Sequence, residues 1–225
     1  SPLWKLTRAG RHMADCVDYE RLTRILSAAA EKIKAQRDHL AGLDAATGDG
    51  DHGAAVCKVA DAIIATIGKN EGSDIGKLLS DIGWAVMSTD AGSTSPLYGS
   101  LFTGMSEKAH GTASLDAKGF VAMLEQGAAA LRRNTKADVG GKTMIDALVP
   151  AVAAMRAAVD AGRDMSLALA DGAEAAVRGA ESTRGMKALF GRARNIGERS
   201  IGHVDPGAAS MSLLFVGIEE GYRNG

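Results

Sequence analysis

Within residues 42–53, GLDAATGDGDHG, three aspartates stand at positions 44, 49 and 51 among glycines, and His52 follows the last of them. Three carboxylates within eight residues repel one another unless a cation neutralises them. Oxygen-only ligands select a hard ion, Mg²⁺ or Ca²⁺, over zinc. An EF-hand calcium loop needs Glu at its twelfth position, but counting from Asp44 reaches Ala55 and counting from Asp49 reaches Ala60. Mg²⁺ is left, an ion that usually shares its coordination shell with water and substrate phosphates. The cluster runs straight into an apolar-periodic segment starting near His52, where a helix N-terminus would favour a phosphate. An aspartate- and glycine-rich turn with a helix cap is the plainer alternative on residue types alone.

Three more polar, glycine-containing segments interrupt the chain: 90–100 (DAGSTSPLYGS), 134–143 (NTKADVGGKT) and 191–207 (GRARNIGERSIGHVDPG). Each precedes a helical pattern, so the four junctions can meet at one end of a bundle and gather several helix N-termini around one point. Gly141-Lys142-Thr143 looks like the end of a phosphate-binding loop, but Lys136 stands where that motif requires glycine, and no apolar strand precedes it. Read in isolation, Arg192, Arg194 and Arg199 are a solvated surface run, with phosphate binding as the sharper alternative. His52 and His203 read as capping or hydrogen-bonding residues, with phosphate or metal contact the alternative. Met144, at a helix start beside a polar loop, suits either a core position or the edge of an adenine pocket.

The elements that must position these groups are helices. Leu22, Ile25, Leu26, Ala29, Ile33 and Leu40 share one stripe; Val56, Val59, Ala60, Ile63, Ile64 and Ile67 share a second; Ile75, Leu78, Leu79, Ile82 and Val86 share a third. Further helices are expected over about 96–110, 115–132, 143–161, 165–184 and 206–222, giving about eight. Pro96 and Pro206 fit first turns, Ser114 reads as an N-cap, and Pro150 should kink its helix. No segment alternates with period two, so no strand is expected. Short connections favour antiparallel neighbours in an all-α bundle or barrel.

Composition sets the outer limits. The 225 residues suffice for one core, and residues 1–12, which end in an Arg-His lead-in to Met13, read as a leader before a single domain over 13–225. Lys and Arg total 26 against 27 Asp and Glu, and aromatics are 4%, so neither a basic field nor a stacking platform for nucleic acid is present. Two cysteines make no disulfide framework, and no apolar run is long enough to span a membrane, so a cytoplasmic protein is expected.

Taken in order, LDAATGDGDHG, GSTSPLYGSLF, GGKTMIDAL and GRARNIGERSIGHVDPGAAS resemble the L subunit of dihydroxyacetone kinase, the DhaL family, over about residues 18–222. The resemblance implies an eight-helix antiparallel barrel with ADP or ATP held at one end. It implies that Asp44, Asp49 and Asp51 are ligands of two Mg²⁺ ions. His52, Gly53, Ala54 and Ala55, with Ser93 and Thr94, would hold phosphates, and Thr135 and Met144 would border the nucleoside. Arg192 would lie near the phosphate tail, against the isolated reading of that residue, and Asp205, Pro206 and Gly207 would close on the nucleotide. Departures are Ala55 for a common Asn, GGKTM for the commoner GDKTM, Thr135 for a frequent glycine, and GSTSPL for GASGPL. The implied activity is phosphoryl transfer to a small hydroxyketone held covalently on a partner K subunit. The nucleotide would be exchanged for ATP or recharged by a phosphotransferase-system protein, and a homodimer is compatible with the pattern. A nucleotide-loaded regulatory module that binds a transcription factor or sensor is the alternative.

Overall fold

The apolar stripes of the sequence become helices that each bury one face. The computed structural model describes residues 15–225, so the leader expected at 1–12 lies outside the described residues. In chain order the helices are α1 (Tyr19–Ala35), α2 (Arg37–Thr47), α3 (His52–Lys69), α4 (Ile75–Met87), α5 (Thr94–Ala109), α6 (Ala117–Arg133), α7 (Ile145–Asp160), α8 (Met165–Ser182) and α9 (Pro206–Asn224). Short 3-10 turns cover Thr183–Gly185 and Arg192–Ser200.

Helix α1 packs on α3, α3 on α4, and each helix then on the next as far as α9, which returns to α1. Eight helices therefore close a ring, the all-α antiparallel barrel expected from the short connections. Helix α2 is a ninth, placed against α3, α9 and the Arg192–Ser200 turn. Leu22, Ile25, Ile82, Tyr98, Phe102, Phe120, Leu148 and Met211 fill the interior, each essentially inaccessible. Side chains of this size contribute roughly 1.5–3 kcal/mol apiece on burial. Arg21, with its guanidinium carbon 3.8 Å from the centre of the Tyr222 ring, and the Lys32–Glu220 ion pair at 2.9 Å pin the first helix to the last.

Three local expectations change. The stripe through Leu40 is split at Gln36, whose backbone (φ −103°, ψ 16°) leaves the helical region and separates α1 from α2. Ser114 is not an N-cap: it pairs with Asp18 in a two-residue antiparallel ladder, Val17–Asp18 with Ser114–Leu115, and no strand had been expected there. Asp116 caps α6 instead, its carboxylate accepting from the Gly119 amide at 2.8 Å. Pro150 sits inside α7 and cannot donate to the Asp146 carbonyl. Gly179 of α8 lies against that carbonyl so closely that a Cβ would collide with it, which seats the exposed acceptor in a helix interface.

Candidate functional site

The helix starts divide into two groups. Helices α1, α4, α6 and α8 are capped by Asp18, Asp74, Asp116 and Asp164, each accepting from the amide three residues on at 2.8, 3.1, 2.8 and 2.9 Å. The alternate helices α3, α5, α7 and α9 begin around one cavity of about 790 Å³. There the preceding residues Asp51, Ser93 and Met144 make no cap bond of their own, although Asp44 Oδ2 accepts from His52 N and Thr143 Oγ1 from Ile145 N, and Asp205 caps its helix, accepting from Ala208 N at 2.8 Å. Converging helix starts form a positive cradle for an anion.

Asp44 enters the cavity from the last turn of α2, and Asp49 and Asp51 from the short link to α3. One oxygen of each can be chosen so that all lie within 4.8 Å of one another. Asp44 Oδ2 accepts from His52 N at 3.0 Å, which fixes the carboxylate against the first turn of α3. Gly48 keeps Asp44 Oδ1 clear, because a Cβ at 48 would stand 2.8 Å from it. Arg192 reaches from the far loop to pair with Asp49 and, at 3.3 Å, with Asp51. All three carboxylates thus converge on one point where positive charge sits. The donor set is hard oxygen, the kind that divalent Mg²⁺ or Ca²⁺ takes.

Of the site residues expected from the sequence, all but Gly53 line this cavity: His52, Ala54 and Ala55 from α3, Ser93 and Thr94 from α5, Thr135 and Met144, Arg192, and Asp205, Pro206 and Gly207. Gly53 is buried instead, at a close crossing where a Cβ would strike the Arg37 carbonyl of α2. Ala55 N is already committed to Asp51 O at 2.9 Å, so the donors of this turn left for a ligand are those of residues 53 and 54. The His52 ring bonds Ser210 Oγ at 2.9 Å, and Ser210 Oγ also meets Tyr98 OH at 2.9 Å. Burial lowers the His52 pKa, against the opposing pull of Asp44. Burial therefore favours the neutral ring, which hydrogen-bonds across to Ser210 of α9.

Lys142 is a group whose role the sequence did not reveal. It has a left-handed backbone (φ 61°) and a side chain with almost no exposure. Its ammonium donates to the Thr183 carbonyl at 2.6 Å and to the His203 carbonyl. Buried Asp146 accepts from Gly140 N at 2.6 Å and Thr143 N at 2.8 Å, so this pair ties three loops of the site together. Burial lowers the Lys142 pKa, with Asp205 and Asp146 opposing. The GKT triplet is thus a structural strap, consistent with its failure as a phosphate-loop motif. Asp205, deep beside it, has its pKa raised to about 7 by burial, although Ala208 N and Lys142 pull the other way. Lys58 and Phe190 also line the cavity unannounced by any motif; Lys58 Nζ donates to Asp90 O at 2.7 Å.

The sequence profile of the DAK2 domain matches residues 46–220. The PEP-dependent dihydroxyacetone kinase 1 ADP-binding subunit DhaL of Listeria innocua is 35% identical over 85% of this chain and 91% of its own length. The corresponding DhaL subunit of Escherichia coli is 32% identical over 84% and 90%. The crystal structure of the C. freundii dihydroxyacetone kinase in complex with AMP-PNP and Mg²⁺ matches with a TM-score of 0.68 and 27% identity, over 88% of this chain and 33% of that one. With a family profile matched over most of its length and relatives covered almost end to end, the chain belongs to the DAK2-domain family of DhaL, ADP-binding-subunit proteins of dihydroxyacetone kinases.

Proposed function

We propose that this chain holds ADP or ATP with two Mg²⁺ ions and passes a phosphoryl group to a small hydroxyketone carried by a separate K subunit. The observation that carries this reading is the cavity in which a triad of carboxylates faces the converging starts of α3, α5, α7 and α9. Asp44, Asp49 and Asp51 would hold the ions, whose chemistry is neutralisation of phosphate oxygens during in-line transfer. The amides at the starts of α3 and α5 and the Ser93 and Thr94 hydroxyls orient the phosphate chain. Arg192, free to turn from the aspartates, offers a guanidinium to charge developing on the transferred group. Thr135 and Met144 border the nucleoside, and Asp205, Pro206 and Gly207 close the end of the cavity at the start of α9.

The DhaL relatives that match over nine-tenths of their length are named as subunits, whereas the D-erythrulose kinase of Mycolicibacterium smegmatis is matched over 33% of its length. That proportion supports a division of labour in which a partner holds the ketose, dihydroxyacetone or an erythrulose-type tetrose. Relatives named PEP-dependent or PTS-dependent support recharging of retained ADP by a phosphotransferase-system protein over exchange for ATP.

Native mass spectrometry of the purified chain is expected to show one ADP with Mg²⁺, and transfer to dihydroxyacetone is expected only when a K subunit is added. Asp49→Asn should abolish that transfer. Phosphorylation of dihydroxyacetone by this chain alone, or no binding of ADP at millimolar Mg²⁺, would overturn the reading.

A further inference from the structure

Aspartates, Arg192 and helix starts account for the charged part of the cavity lining, and apolar side chains share that lining. Phe190 is among them, the one benzene ring lining the cavity among the described residues, in a chain whose aromatic content is only 4%. The ring is half-buried and packs on the core. The backbone just before it is anchored twice: Ala188 N donates to Ser200 Oγ at 2.9 Å and Leu189 N to Gly141 O at 3.3 Å. One edge of the ring lies flush on Gly141, since a Cβ there would stand 3.1 Å from Cδ2 and Cε2. Gly191 follows in a conformation that favours glycine (φ 65°), turning the chain so that Arg192 reaches the aspartates. A single short segment thus presents an aromatic face and a guanidinium to the same cavity, two residues apart.

We propose that Phe190, seated on Gly141, is the surface on which the nucleobase stacks, making this residue a determinant of affinity for a nucleotide over a bare polyphosphate. The proposal rests on the nucleotide-binding reading above. A planar heteroaromatic base gains by lying on a ring already half desolvated and held by backbone bonds, because little ordering remains to be done on binding. The Met144 thioether, buried on the neighbouring wall, adds a polarisable contact for the same base. Gly141 is part of the device: any side chain there must displace the ring or the Asp138 carbonyl, 3.0 Å from the Cβ position.

Calorimetric titration of the full chain with Mg-ADP and, separately, with Mg-pyrophosphate tests this. Base–aromatic stacking has a range that makes Phe190→Ala weaken ADP by roughly 5- to 100-fold. Pyrophosphate, which lacks base and ribose, should bind Phe190→Ala and the parent alike, and Phe190→Trp should keep ADP binding. Gly141→Ala should weaken ADP but not pyrophosphate. ADP binding unchanged in Phe190→Ala, as a docking residue for another protein would give, overturns the proposal while leaving the nucleotide reading intact. Equal loss of both ligands makes Phe190 a structural residue and also overturns it. A parent chain that binds pyrophosphate and ADP equally well fails both the proposal and the nucleotide reading.

Discussion

Arg192 occupies ground that a divalent cation would also claim, so its removal should move two affinities in opposite directions. Its guanidinium pairs with Asp49 and Asp51, and the three side chains are 61%, 48% and 63% exposed. Pairs this exposed contribute roughly 0.2–1 kcal/mol each. A metal ion entering the cluster must break both, a cost of roughly 0.4–2 kcal/mol from the same range. Arg192→Ala removes that cost, and at about 1.4 kcal/mol per tenfold the Mg²⁺ affinity of the stripped protein should rise roughly 2- to 30-fold. With nucleotide present the sign reverses. A charge-assisted hydrogen bond to phosphate is lost, roughly 1.5–3 kcal/mol, and Mg-ADP should bind about 10- to 100-fold more weakly. Calorimetry on nucleotide-stripped protein, with Mg²⁺ alone and then with Mg-ADP, reads both values. The first difference should shrink as salt is raised, because exposed pairs are screened. A fall in Mg²⁺ affinity on removing Arg192 would show that the arginine supports the cluster rather than competing for it, and the reasoning would fail.

Gly179→Ala drives a methyl into the Asp146 carbonyl that Pro150 leaves exposed. Overpacking of this kind costs roughly 1–3 kcal/mol, so Tm should drop by several degrees in a thermal melt. Lys142→Met leaves the His203 carbonyl without its side-chain donor at roughly 1–3 kcal/mol, while Thr183 O keeps Met186 N at 3.1 Å. It should lower both Tm and Mg-ADP affinity, whereas a surface lysine would change neither. Asp205 gives a pH signature with a defined sign. Its folded pKa of about 7 lies above the unfolded 3.8, so the folded chain retains a proton that the unfolded chain has released. That share of stability is complete below pH 3.8 and is lost as pH rises through about 7. In metal-free urea melts, Asp205→Asn should flatten the decline between about pH 4 and about pH 7.

Much of the barrel could be read from local pattern because local rules decide it. The helix expected over 206–222 is observed as Pro206–Asn224, opening with proline in its first turn, and the segment at 165–184 is Met165–Ser182. The break at Gln36 could not be read, because no glycine or proline marks it and glutamine is a good helix former. The site divides in the same way. Asp44, Asp49 and Asp51 are close in sequence and announce themselves by charge density. Arg192 gave no such sign: its partners are 141 residues away or more, and an arginine among other surface cations has no local signature. Lys142 and His52 likewise take their roles from partners supplied by distant loops, Thr183 and His203 for one and Ser210 for the other. Gly53 reads like part of a phosphate turn, and its missing side chain also serves a helix crossing, a demand visible only in three dimensions.

The ring is completed by contact between α1 and α9, helices far apart in the sequence. Asp44 is synthesised long before Asp205, Pro206 and Gly207, which come with α9, whose docking also sets Ser210 beneath His52. A nascent chain therefore carries an acidic loop and an open barrel until α9 has emerged. Nucleotide capture waits on that helix, and a chain truncated before residue 205 should not sequester ADP.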